Sequence, residues 1–211
     1  GVLIHCTGIN FFVLTLASSG MLRGVSLMIT DGKPVTKFGK EFMQLGIGRI
    51  GELQLPVLFA LALILIFFPL LFHTKLGNYI QALGGSETAL KRAGVRTGFY
   101  RIFVHVFLGI TAAVTAIIIT ARLNSAEPNA GMNMEFDAVT AVIMGGTPIR
   151  GGTASITGTV LAVLILGIIR NGLTLLSVSS DFQQWITGFL LLASVLISEI
   201  KVWKFRTLIK S

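Results

Sequence analysis

The 211 residues are 53% hydrophobic and only 12% charged, whereas soluble domains carry about 25% charged residues. That leaves too little polar surface for a water-soluble globule, and the mean hydropathy of +0.83 excludes a disordered chain. The one cysteine, Cys6, excludes a disulfide framework. The net charge of +8 sits in short blocks between apolar runs, which reads as an orientation signal in a lipid bilayer. Nucleic-acid binders instead cluster their cations on one face among aromatics, so no nucleic acid is expected. The chain starts at Gly1 with no signal-peptide pattern, so it reads as a fragment with sequence expected upstream.

Crossing the hydrocarbon layer takes about 20 mostly apolar residues. The first such run is Phe11 to Thr30, interrupted by Gly20, Arg23 and Gly24. Pro56 to Phe72 is the cleanest, with its proline in the first turn, where the missing N–H costs nothing. Ile102 to Ala121 is the third run, and Ile156 to Leu176 is the fourth, with Arg170 near its far end. Trp185 to Ile200 is a shorter fifth run that opens on a tryptophan suited to the membrane interface. Ala138 to Ile149 is apolar but about half the needed length. It ends in Gly145, Gly146 and Pro148 and reads as a broken or re-entrant helix. The expected fold is all-α, one polytopic transmembrane bundle over residues 1–211, with about five spans and this broken helix.

Lys and Arg are enriched in cytoplasmic loops. The loop 73–101 holds Lys75, Lys91, Arg92, Arg96 and Arg101, and the tail 201–211 holds Lys201, Lys204, Arg206 and Lys210. Both are expected in the cytoplasm. Arg122 to Asp137 and the turn Ser177 to Asp181 are expected outside. The count closes if Ala138 to Ile149 passes inward and leaves Arg150 on the cytoplasmic side. Asp31 to Gln54 must then lie outside despite Lys33, Lys37, Lys40 and Arg49.

Three classes are open: an ion-coupled carrier, a transporter driven by a separate ATPase, and a passive channel. Ion coupling usually needs an ionisable group inside the membrane, and here Glu199 sits only at a span's edge. No G-x-x-x-x-G-K-[ST] occurs, and the glycine-rich Gly145 to Gly152 follows an apolar helix and lacks the phosphate-reaching lysine. Those glycines let the chain break and neighbours approach, and irregular backbone at membrane depth can also border a pathway. No catalytic constellation and no cofactor are expected.

The segment Leu83 to Val95 carries helix-end signals at close spacing. Ser86 suits an N-cap, Glu87 the positive helix end, Lys91 and Arg92 the negative end, and Gly94 the C′ position. Together they specify about two turns, and a helix that short needs a docking surface. It is either an amphipathic connector on the membrane surface or a rigid knob offered to a cytoplasmic partner.

Four stretches in order resemble a family. They are G-N-Y-I-Q-A-L-G-G-S-E-T-A-L-K-R-A-G-V from Gly77, F-F-V-L-T-L-A-S-S-G-M-L-R-G from Phe11, F-D-A-V-T-A-V-I-M-G-G-T-P-I-R-G-G-T from Phe136, and I-T-G-T-V-L-A-V-L-I-L-G-I-I-R-N-G-L from Ile156. The chain resembles bacterial ABC importer permeases for simple sugars, of the ribose, xylose and galactose type. The resemblance implies an inner-membrane permease that pairs with a second permease chain. It also implies a P-loop ATPase beneath the pair and a periplasmic solute-binding protein that delivers the sugar. ATP hydrolysis would belong to the partner chain. In related ABC permeases a short cytoplasmic coupling helix, often built around Glu-Ala-Ala and a downstream Gly, docks into a groove on the ATPase. Glu87, Ala89 and Gly94 match those positions, within the segment that Ser86, Lys91 and Arg92 complete, and Thr88 replaces a common Ala. The family chain is longer, so its N-terminal helices are expected to be missing here. The related branched-chain amino-acid permeases are the neighbouring alternative.

Arg23 and Arg170 lie in or near spans, where an unpaired charge costs at least about 2.5 kcal/mol at mid-bilayer. Arg170, followed by Asn171, either snorkels to headgroups or lines an outer vestibule. Arg23 either bonds a neighbouring helix or lines the pathway, together with Gly145 and Gly146. The small-xxx-small pair Gly20 and Gly24 permits a close helix contact. His5, His73 and His105 have no partner at metal-ligand spacing, and His105 is expected to bond a neighbouring helix.

Overall fold

The structure is a computed structural model that describes residues 11–149 and 151–210. The expectations on Gly1, His5, Cys6 and Arg150, and those on the side chains of Glu199, Lys201, Lys204, Arg206 and Lys210, fall outside the described residues and side chains. In chain order the elements are α1 (Phe11–Thr30), β1 (Val35–Thr36), α2 (Lys40–Ile47), β2 (Arg49–Ile50) and β3 (Leu53–Gln54). There follow α3 (Leu55–Phe72), α4 (Lys75–Gly85), α5 (Glu87–Arg92), α6 (Thr97–Leu123) and β4 (Ser125–Ala126). The last three are α7 (Met134–Met144), α8 (Ile156–Leu175) and α9 (Ser180–Lys210).

Five helices, α1, α3, α6, α8 and α9, are long and apolar enough to cross a membrane, and at most 6% of each apolar stretch is buried. Leu65 and Ile168 remain 73% and 72% exposed. α3 is apolar on every side and has no buried residue among its eighteen, the pattern of a helix whose solvent is lipid. Hydroxyls along these helices fold back onto their own backbone. Ser18 Oγ donates to Leu14 O at 2.7 Å, Thr30 Oγ1 to Ser26 O at 2.8 Å and Thr115 Oγ1 to Thr111 O at 2.9 Å. This hides polar atoms where no water is available. His105 does the same: its Nδ1 donates to Arg101 O at 2.8 Å. The expected bond to a neighbouring helix is replaced by the carbonyl one turn back on its own helix.

Two boundaries are wider than the apolar runs. α6 has 27 residues, about 40 Å, and overshoots a hydrocarbon layer of about 30 Å. α9 starts five residues before Trp185 and runs through the expected tail to Lys210. Hydropathy marks where lipid begins, whereas helix ends are set by caps and breakers.

The chain divides into two compact units. One contains the described residues up to Ile80 together with Lys91–Gly131, and the other contains Gln81–Leu90 together with the described residues from Met132 on. In the first unit α2 packs on α6 and α3. Its buried Gly46 lies against the backbone of Ala121, which is fully buried, and Arg122. β1 pairs antiparallel with β4, with Val35 opposite Ala126 and Thr36 opposite Ser125. β2 and β3 form a hairpin with Ile50 opposite Leu53. Loop 31–54 and the loop after α6 thus share one end of α6. Phe67 of α3 meets Phe107 of α6 edge-on at 5.8 Å.

In the second unit α7 packs against both α8 and α9. Thr140 (0% exposed), Ala141 (2%), Ile143 (7%) and Ala162 (3%) form its small core. Small side chains let helix backbones approach where lipid gives no hydrophobic drive.

Candidate coupling and translocation site

The capping signals around Ser86 produce the helix they specify. The backbone N–H of Ala89 donates to Ser86 Oγ at 3.3 Å, the N-cap bond, and that hydroxyl also lies 3.1 Å from Thr88 Oγ1. A cap of this kind is worth about 1 kcal/mol. At the other end Gly94 adopts φ +79° and its N–H donates to Lys91 O at 3.0 Å. That left-handed conformation penalises any side chain, so glycine closes the helix. α5 is six residues long. Leu90 is its buried anchor at 8% exposure. Thr88, Ala89, Lys91, Arg92 and Gly94 are exposed and Glu87 is half-buried. α5 is therefore a short, capped helix with Leu90 buried and Lys91 and Arg92 exposed.

α5 is stiffly joined to α4. Ser86 N–H donates to Ala82 O at 2.9 Å and Leu90 N–H to Ser86 O at 3.2 Å, so the hydrogen-bond ladder continues across the serine. The last two residues of α4, Gly84 and Gly85, lie against Gly151 and Gly152.

The expected half-length helix is α7, eleven residues or about 16 Å. It stops where the glycines begin, with Gly145 at its end and Gly146 at φ +93°. The next element is α8, from Ile156. Ser155 caps α8 by accepting from Gly158 N–H at 3.2 Å, and its own N–H donates to Thr147 Oγ1 at 3.1 Å. A Cβ on Gly158 would collide with Gly145 O, and one on Gly145 with Thr159 N. Neither position has room for a side chain.

Arg170 has a partner. Its Nη2 lies 2.8 Å from Asp137 Oδ1, in the first turn of α7, and 3.5 Å from Thr187 Oγ1 of α9. Gln183 Nε2 donates to Val178 O at 3.0 Å and lies 3.4 Å from Thr174 Oγ1. These groups border a cavity of about 330 Å³ whose polar lining is Asp137, Arg170, Gln183 and Thr187. Asn171 is exposed and outside that lining. Arg23 is half-buried on α1, with no ion pair or hydrogen bond recorded among the described residues, and the small-residue pair Gly20 and Gly24 has nothing within 4 Å of a built Cβ. Gly145 and Arg170 thus mark opposite ends of the antiparallel α7–α8 pair.

Sequence reading missed Asp137 as a partner, because 33 residues separate it from Arg170. It also missed the contact of Gly84 with Gly151. An acid in the first turn of an otherwise apolar helix was the available signal for the first.

The sequence profile of the family described as the permease component of branched-chain amino acid transport systems matches residues 1–195. The chain is 39% identical over 205 residues to the ribose import permease protein RbsC of Escherichia coli, covering 95% of this chain and 64% of that protein. It is 36% identical to RbsC of Bacillus subtilis, covering 95% and 63%. It is 33% identical to the L-arabinose transport system permease protein AraH of Escherichia coli, covering 98% and 63%. The chain therefore spans 63–64% of the length of these relatives. No solved structure matches.

Proposed function

Since this chain belongs to the family of transport-system permease components, we propose that it is the membrane-spanning permease subunit of an ATP-driven monosaccharide importer. The chain pairs with a second permease chain in the inner membrane, identical or related. A P-loop ATPase docks beneath it, and a periplasmic binding protein delivers the solute. Hydrolysis of ATP takes place on the partner, and this chain supplies the path. Loop 73–101 and the C-terminal tail face the cytoplasm.

The observation that carries the reading is α5: capped at Ser86, closed at Gly94, anchored by Leu90, with Thr88, Ala89, Lys91 and Arg92 outward. A rigid knob of that kind transmits a rigid-body motion, and a closing pair of ATPase domains supplies one. The relatives named for ribose and arabinose favour a monosaccharide over the amino acids in the family's description. α7, with Gly145 and Gly146 at one end and Asp137, paired with Arg170 of α8, at the other, borders the path.

A pull-down of the tagged chain from its native membrane in mild detergent tests the partner. A stoichiometric P-loop ATPase, lost on Glu87→Lys combined with Lys91→Glu and Arg92→Glu, is the expected result. A folded chain that brings down no ATPase would sink the reading. Competition of unlabelled D-ribose against L-leucine for uptake separates the two solute classes.

A further inference from the structure

Resting on the reading of α5 as the coupling helix, we propose that the backbone contact of Gly84 and Gly85 with Gly151 and Gly152 is the joint that carries motion of α5 to α7. All four glycines, α7 and the first four residues of α5 belong to one compact unit.

A Cβ on Gly84 would lie 3.0 Å from Gly152 N and 3.2 Å from Gly151 Cα, and one on Gly151 would lie 2.8 Å from Gly84 Cα and 2.9 Å from Gly84 O. The contact is therefore main chain on main chain. Side chains between two segments absorb displacement by changing rotamer, whereas touching backbones pass it on. On one side of the joint the hydrogen-bond ladder through Ser86 makes the end of α4 and α5 one stiff piece. On the other side two further contacts fasten the turn to α7. Ser155 N–H donates to Thr147 Oγ1, and Gly145 lies against Gly158 and Thr159.

The freedom to move is local to the same turn. Gly146, which separates the joint from the end of α7, holds φ +93°, a conformation open to glycine at little cost. The far end of α7 is held to α8 through Asp137 and Arg170. A push on α5 thus reaches the inner end of α7 while its outer end stays tethered. Gly84 and Gly151 act as positioning residues: they touch neither solute nor ATPase.

The test uses the whole transporter, chain with its ATPase and binding protein, reconstituted in vesicles and probed with labelled D-ribose. Gly84→Ala, at a position without left-handed backbone, is expected to keep the ATPase bound and its basal hydrolysis unchanged. ATP-driven uptake should fall by about tenfold, within the range of couplings between distant sites. Gly85→Ala, whose Cβ would make an ordinary 3.5 Å contact with Gly152 Cα, should transport like the native chain. Deuterium exchange adds a readout that mere support would not move. Adding a non-hydrolysable ATP analogue should change exchange across residues 145–155 in the native complex and leave it unchanged in Gly84→Ala. Native-level uptake in Gly84→Ala, or an equal exchange response in both complexes, overturns the joint. So does loss of the ATPase from the variant, because the contact would then only hold α5 in place. A native chain that binds no ATPase would instead overturn the coupling-helix reading itself.

Discussion

Replacing Gly158 with alanine drives a methyl group into the carbonyl oxygen of Gly145. A carbon and an oxygen need more than 3 Å, and the obstacle is backbone, so no rotamer change relieves the clash. Either α7 moves away from α8 or the turn between them distorts. Overpacking of this kind costs about 1–3 kcal/mol, and the hard backbone contact argues for the upper end. In a chain of this size each kcal/mol shifts Tm by about 2–4 °C, so Gly158→Ala should lower Tm by about 6–12 °C. Gly167 lies on the same helix with nothing within 4 Å of its built Cβ. There alanine gains helix propensity of about 0.8–1 kcal/mol, and Tm should rise by about 2–4 °C. Both variants are made in the full chain, purified in the same detergent and unfolded thermally with helical circular dichroism as the signal. Opposite signs on one helix are the expected outcome. A Gly158→Ala chain as stable as Gly167→Ala would refute the close α7–α8 crossing.

Ser86→Ala removes the N-cap of α5 and should cost that helix about 1 kcal/mol, while Ser86→Asp keeps a capping oxygen; ATP-driven uptake should fall in the first variant and persist in the second. A double-mutant cycle of Asp137→Asn and Arg170→Gln, read by thermal unfolding, should give a favourable coupling between the two side chains, which stand 2.8 Å apart. The exchange Asp137→Arg with Arg170→Asp should recover transport that either single reversal loses, if the pair positions α7; failure of that rescue points to direct contact with the solute. In a Cys6→Ser background, Lys33→Cys and Asn129→Cys should react with an impermeant maleimide from one side of the membrane and Ala93→Cys from the other.

Features set by local sequence were legible without coordinates. Spans follow from apolar length alone, and Pro56 to Phe72 was placed to within one residue of α3. The α5 caps were also legible, because Ser86 and Gly94 act within one turn of their own positions. The half-length helix was visible in the run that ends at Gly145 and Gly146. What was hidden depends on residues far apart in the chain or on segments with too little apolar length. α2 lies in a loop whose Lys33, Lys37, Lys40 and Arg49 mask its pattern, and its place is set by contact with Ala121. The ends of α6 and α9 were hidden because a helix can continue past the lipid. Arg170 looked unpaired because Asp137 belongs to a different helix. The joint at Gly84 pairs glycines that read separately as a helix end and a turn.

The central claim is that ATP, acting through α5, drives a sugar across this path. Its most direct measurement is uptake of labelled D-ribose into cells or vesicles in which ATP and ion gradients are varied independently. The account predicts uptake that follows ATP, survives an ionophore at constant ATP and is lost on charge reversal at Glu87, Lys91 and Arg92. Uptake that collapses with the ionophore while ATP is held constant would contradict it and make the protein an ion-coupled carrier.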